Sequence, residues 1–151
     1  SNNEITVEGA AKYHSEFEEG NYSVAKRCYI DLRMLKDTAG SVSYWLILTY
    51  VADEWLTIEK GRSLELAVDL NSMVLTADSD LSREKDPSGK WITEILEYPV
   101  TSEQLWKMIR ADAILVNVTG REGEMSGYFN ETNFANFRKF AGEYMDAPVA
   151  N

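Results

Sequence analysis

Lys60-Gly61-Arg62-Ser63 is the first group of residues in this chain that could do chemistry. A glycine beside two cations and a hydroxyl is the material of a phosphate-gripping loop. Such a loop needs GxxxxGK followed by Ser or Thr, set between a strand and a helix whose first N–H groups cradle the phosphates. Here Lys precedes the Gly and no upstream Gly stands at the right spacing. The apolar residues beyond Ser63 recur every two positions, not every 3.6. The stretch therefore reads as a turn between two strands, one begun by Trp55, Leu56 and Ile58 and the other carrying Leu64, Leu66, Val68 and Leu70 toward the core. Trp55, Lys60 and Arg62 mark a contact surface at this tip.

The other chemistry-bearing groups are weaker. Asp78, Asp80, Glu84 and Asp86 suggest a calcium loop, but counting from Asp78 puts Arg83 sixth and Gly89 twelfth, where Gly and Glu are required. Glu94 and Glu97 stand on opposite faces of one strand, because their spacing is odd. Glu65 and Asp69 share a face, but it is the polar face of a half-buried strand. One cysteine, Cys28, and one histidine, His14, are too few for a dedicated zinc site, and His14 has no GxSxG serine to serve. Cys28 falls in an apolar row and reads as a small buried hydrophobe. Three glycosylation triplets begin at Asn21, Asn117 and Asn130. The second lies in a strand and the third at a helix cap, so chance matching accounts for them. No catalytic residue, cofactor or metal is assigned. Trp45, Trp55, Trp91 and Trp106 with eight tyrosines serve as core residues or, alternatively, line a ligand cleft.

The elements that must position these residues are set by periodicity. Residues 1–22 form a polar, acidic segment in which Ala10, Ala11, Tyr13 and Phe17 could mark a short helix, and residues 23–151 form one domain. Arg27–Leu35 alternates, and Val42–Val51 is apolar on both faces. Asn71-Ser72 turns the chain before Met73–Leu75. Residues 77–90 read as a charged loop, and Trp91–Tyr98 alternates again. Thr101 with Gln104 makes a capping box for a short helix, and Asn130 caps a longer one with Phe129 and Phe134 as a staple. Gly120-Arg121-Glu122-Gly123 is a hairpin turn. Phe134, Phe137, Phe140, Ala141, Tyr144 and Met145 give the last helix an aromatic face that needs a sheet. The expected fold is α+β: an antiparallel sheet of about seven strands with the short helix and the C-terminal amphipathic helix packed on it. A partly closed β-barrel capped by the C-terminal helix is the alternative.

The chain has 151 residues, a net charge of −10 and 44% hydrophobic residues. That balance suits a folded protein, and its charge opposes nucleic-acid backbones and anionic membranes. No apolar run reaches the ~20 residues of a membrane span. Ser1 stands where a start Met would be, as expected of a trimmed chain, and an exported protein would have lost a signal in this way.

Trp55-Leu56-Thr57-Ile58, Leu64–Asp69, Glu97-Tyr98 before the capped helix, Val116–Gly120 and Phe140-x-x-x-Tyr144 together resemble a group of small bacterial domains of unknown function. The likeness runs over about residues 44–145. It implies an exported, periplasmic or lipid-anchored protein, with a cytoplasmic one as the alternative, and implies no site or activity. The functional expectation is a non-enzymatic binding or cell-envelope-associated domain with a protein or small-molecule partner. The rival is a small-ligand carrier or enzyme using an aromatic cleft in the sheet. A deep cleft with an ionisable group near Trp or Tyr would favour the rival, and a filled core with an uncovered strand edge would favour partnering by strand addition.

Overall fold

The computed structural model describes residues 3–8 and 26–146, except the side chains of Asp80 and Leu81. The expected N-terminal helix, His14 and the Asn21 triplet lie outside the described residues. Within the described residues nine strands and two helices run in the order β1 (Glu4–Val7), β2 (Lys26–Lys36), β3 (Val42–Ala52), β4 (Gly61–Val68), β5 (Asn71–Ala77), β6 (Ser79–Lys85), β7 (Ile92–Val100), α1 (Ser102–Arg110), β8 (Ile114–Gly120), β9 (Gly123–Tyr128) and α2 (Glu131–Tyr144). The strands make one sheet in the order β5-β4-β8-β9-β1-β2-β3-β7-β6. Every pairing is antiparallel.

The α+β and barrel-like character is as expected, but nine strands replace about seven. One addition is β1, and the other is β6, which occupies half of the segment expected to be a loop. Its charged residues are tolerated because an edge strand puts alternate side chains in water. Only Asp78 separates β5 from β6, so one bent stretch of chain ends the sheet at both edges. Gly61 pairs with Ala77 on one side of this corner, and Glu97 pairs with Ser79 on the other. The sheet therefore curls into a half-barrel, with β5 drawn close to β7.

Alternation fills its interior in rows. Cys28, Tyr50 and Glu94 stand side by side on β2, β3 and β7, with Ile30, Leu48 and Leu96 in the next row, then Leu32, Leu46 and Tyr98. Leu64, Val118 and Met125 make a facing row on β4, β8 and β9. The Ser63 and Tyr98 hydroxyls hydrogen-bond between the two halves. Leu64, Leu66 and Val68 are buried as the alternation requires, but Leu70 is 92% exposed. The reason is the turn: Asp69 and Leu70 both have positive φ, 48° and 72°, and make a two-residue hairpin loop that ends the alternation. Asn71 and Ser72, expected to turn, already belong to β5.

Helix α1 carries the expected capping box between Thr101 and Gln104 and buries Leu105, Met108 and Ile109. In α2, Asn130 and Asn133 cap each other reciprocally, and the Phe129 and Phe134 rings meet at 5.5 Å. Phe137 is buried, whereas Tyr144 is exposed. An amide network ties α2 to β1. Asn133 Nδ2 donates to Asn3 Oδ1 and to the Glu4 carbonyl, and Asn3 Nδ2 donates to the Ile30 carbonyl. Arg27 grips Glu4 with two bonds of 2.9 Å, which lowers the Glu4 carboxyl below its ordinary range.

Cys28 lies wholly inside this core, and burial pushes its thiol well up. The native protein should leave an aromatic disulfide reagent unreacted over hours, and the denatured chain should react fully at the same pH. Rapid native reaction would show that the β1–β2 wall opens.

Candidate functional site

One end of the half-barrel holds a bowl of about 620 Å³, and it grows out of a single buried carboxylate. Glu94 occupies an inward position of β7 between Ile92 and Leu96 and is 0% exposed. A carboxylate there must be saturated with donors. Its oxygens accept the backbone N–H groups of Leu56, Thr57 and Ile58 at 2.9, 3.1 and 2.8 Å. The Arg83 guanidinium stands 3.7 Å from Oε1 and also donates to the Ile58 carbonyl.

Trp55–Ile58 therefore does not make the expected strand. Ile58 forms only an isolated bridge with Gly120, because Glu94 has taken the amides that a ladder would use. Thr57 is held at φ 55°, in the left-handed region. The carbonyls of the same segment are taken from the other side, where Arg121 N–H donates to Thr57 and Glu122 N–H donates to Leu56. Gly120 is required at that crossing, since a Cβ would meet the Leu56 carbonyl oxygen at 2.1 Å.

This pinned segment raises Asp53, Glu54 and Trp55 as one wall of the bowl, with Glu122 and Glu124 on the other, Lys26 at the rim and Tyr50 lining it from β3. None of the four carboxylates has an ion-pair partner among the described residues. Asp53 Oδ1 is buried without a hydrogen-bond partner among the described residues. Tyr50 is 2% exposed, and its hydroxyl has no hydrogen-bond partner among the described residues. Burial first, and then the charges of Glu94 and Asp53, push this phenol up to about 12. Among the described residues no three His, Cys, Asp or Glu side chains are grouped so as to hold a metal ion.

The residues expected to make a contact surface separate here. Trp55 stands on the bowl and is 37% exposed. Lys60 and Arg62 line a different, smaller depression with Glu59, Ser63 and Arg121, where Arg121 and Glu59 pair at 3.3 Å. Gly61 does turn, at φ 96°, but it opens β4 rather than joining two strands. Sequence reasoning missed Glu94, Tyr50 and Asp53 as a unit. The signal for Glu94 was present: it is the acidic member of an apolar row that continues as Ile92, Leu96 and Tyr98. Glu97 does face the opposite side, as its odd spacing requires, and is buried there against Arg33.

Glu94→Ala should cost about 3–5 kcal/mol, since several buried N–H groups and Arg83 lose their acceptor together. Urea unfolding measures this, and a loss below about 1 kcal/mol would show that the loop does not depend on the carboxylate. Tyr50 gives an alkaline signature. The folded phenol holds its proton up to about 12 while the unfolded one releases it near 10.0, so stability should fall as pH rises across that window. Tyr50→Phe should flatten the fall in a pH series of melting curves. No protein-family model, curated protein or solved structure matches the chain, so the reading of the bowl rests on its own geometry.

Proposed function

We propose that this protein is a non-enzymatic binding domain and that the bowl at the open end of the half-barrel receives an organic cation. The carrying observation is Asp53 Oδ1, a buried acceptor with no donor among the described residues, lining the same bowl as Tyr50, Glu54, Glu122 and Glu124. A buried acceptor left unmade costs about 1–3 kcal/mol, and an N–H donor bearing positive charge removes that cost while answering the field of the bowl. The Trp55 indole offers a face to the same ligand, because an aromatic quadrupole attracts cations. An ammonium or guanidinium group fits this chemistry better than a bare metal ion, whose ligands would have to converge on one point.

The small-ligand carrier thus supplies the concrete form of the binding reading: an ionisable group stands beside Tyr and Trp in a cleft. The cation can be a free amine or the side chain of a Lys or Arg in a peptide. The resemblance of residues 44–145 to exported bacterial domains supports a place at the cell envelope as part of the same proposal.

Titration calorimetry with agmatine, with capped lysine and arginine peptides, and with n-butanol as the uncharged control tests the reading. The cations should bind saturably and the alcohol should not. Asp53→Asn should weaken binding about tenfold or more, in line with the loss of a charge-assisted hydrogen bond. Equal binding of the alcohol, or an Asp53→Asn variant with unchanged affinity, would overturn the assignment.

A further inference from the structure

A second site lies along the free edge of β5, away from the bowl. The two-residue Asp69–Leu70 turn makes Val68 and Asn71 the closing hydrogen-bonded pair of the β4–β5 hairpin. Bonded and non-bonded pairs alternate from there, so Asn71, Met73 and Leu75 spend their backbone groups on β4. The N–H and C=O groups of Ser72 and Val74 point away from it. No strand lies beyond β5 at this edge of the sheet among the described residues. Between this edge and α1 runs an open groove of about 580 Å³, with Ser72, Met73 and Val74 on one side and Gln104, Lys107 and Arg110 on the other.

The groove has two further marks of a docking place. Its end is the hairpin tip, where Leu70 is held at φ 72° and is 92% exposed. A branched apolar residue in the left-handed region costs free energy, and the exposure returns none of it. Its helical side is basic in a chain of net charge −10. Lys107 has only an exposed 3.6 Å pairing with Glu103, and Arg110 lies over the Trp106 ring. Among the described residues that line the groove, Asp69 is the one carboxylate against two cations. Asp69 Oδ1 accepts the N–H groups of Asp112 and Ala113, and Glu65 accepts the Ser72 hydroxyl.

We propose that β5 receives an extended acidic segment of a partner protein as an added strand, with the segment's carboxylates on Lys107 and Arg110. Side chains of an added strand alternate, so the segment carries acidic residues at every second position and apolar ones between them. The apolar side chains meet Met73 and the exposed Leu70, and the backbone meets the open groups of Ser72 and Val74.

The test uses the whole chain, isotope-labelled, with two capped peptides: one alternating Glu with Val, the other Lys with Val. The Glu-Val peptide should bind and slow amide exchange at Ser72 and Val74. The double variant Lys107→Glu with Arg110→Glu should weaken it about tenfold or more and favour the Lys-Val peptide instead. Val74→Pro removes one outward N–H and should abolish binding with the melting temperature nearly unchanged. If that variant proves unstable, the charge reversal decides alone. Equal binding of both peptides, or protection elsewhere on the protein, would overturn the proposal. Concentration-dependent protection of the same amides without peptide would overturn it in favour of a second copy of this chain.

Discussion

The buried carboxylate of Glu94 is the constraint on which one end of this molecule depends. A charged group with no exposure in a core row can persist only if donors surround it, and a β-strand neighbour supplies donors in the wrong places. Leu56, Thr57 and Ile58 therefore leave the ladder and fold their amides inward around the two oxygens. Once they do so, their carbonyls point to the β8–β9 turn, which fixes that turn against them. Trp55, Asp53 and the acidic residues of the turn are brought face to face as a consequence. The bowl is thus a by-product of satisfying one carboxylate, and its own four carboxylates have no ion-pair partner among the described residues.

The same logic of satisfied and unsatisfied backbone organises the rest of the sheet. Bending at Asp78 lets one stretch of chain pair with β4 before the bend and with β7 after it, which closes one corner of the half-barrel. Beyond that corner the edge of β5 faces α1 across an open groove. At the opposite side the short β1 bridges β2 and β9. It holds there because Asn3, Glu4 and Thr6 are bonded to α2 and Arg27, and because Gly127 lets its backbone approach closely. Strand pairing alone would hold so short an element weakly.

Much of this was legible in the residues. The long alternating strands, the hairpin at Arg121-Glu122, both helix caps and the Phe129–Phe134 staple depend on neighbours within about five positions, and the chain carries their signals locally. The segment 77–90 misled for a physical reason: charge and scarce apolar residues describe an edge strand as well as they describe a loop. Leu70 misled because alternation says nothing about where a hairpin will turn, and Asp69–Leu70 lacks the Asn-Gly chemistry such turns favour. Trp55–Ile58 has strand composition, yet a carboxylate 36 residues away from Ile58 competes for its amides and wins.

The sequence by itself determined the alternation that sorts side chains into core and solvent, the helix ends, and the acidic, antiparallel α+β character. These are properties of local spacing and composition. Tertiary structure alone decided which carboxylates are buried, which strand is left with a free edge, and that Tyr50, Asp53, Trp55 and Glu122 share one bowl while Lys60 and Arg62 do not. Those outcomes depend on register between strands distant in the chain and on competition for a limited number of hydrogen-bond donors, and neither is written in any single stretch of residues.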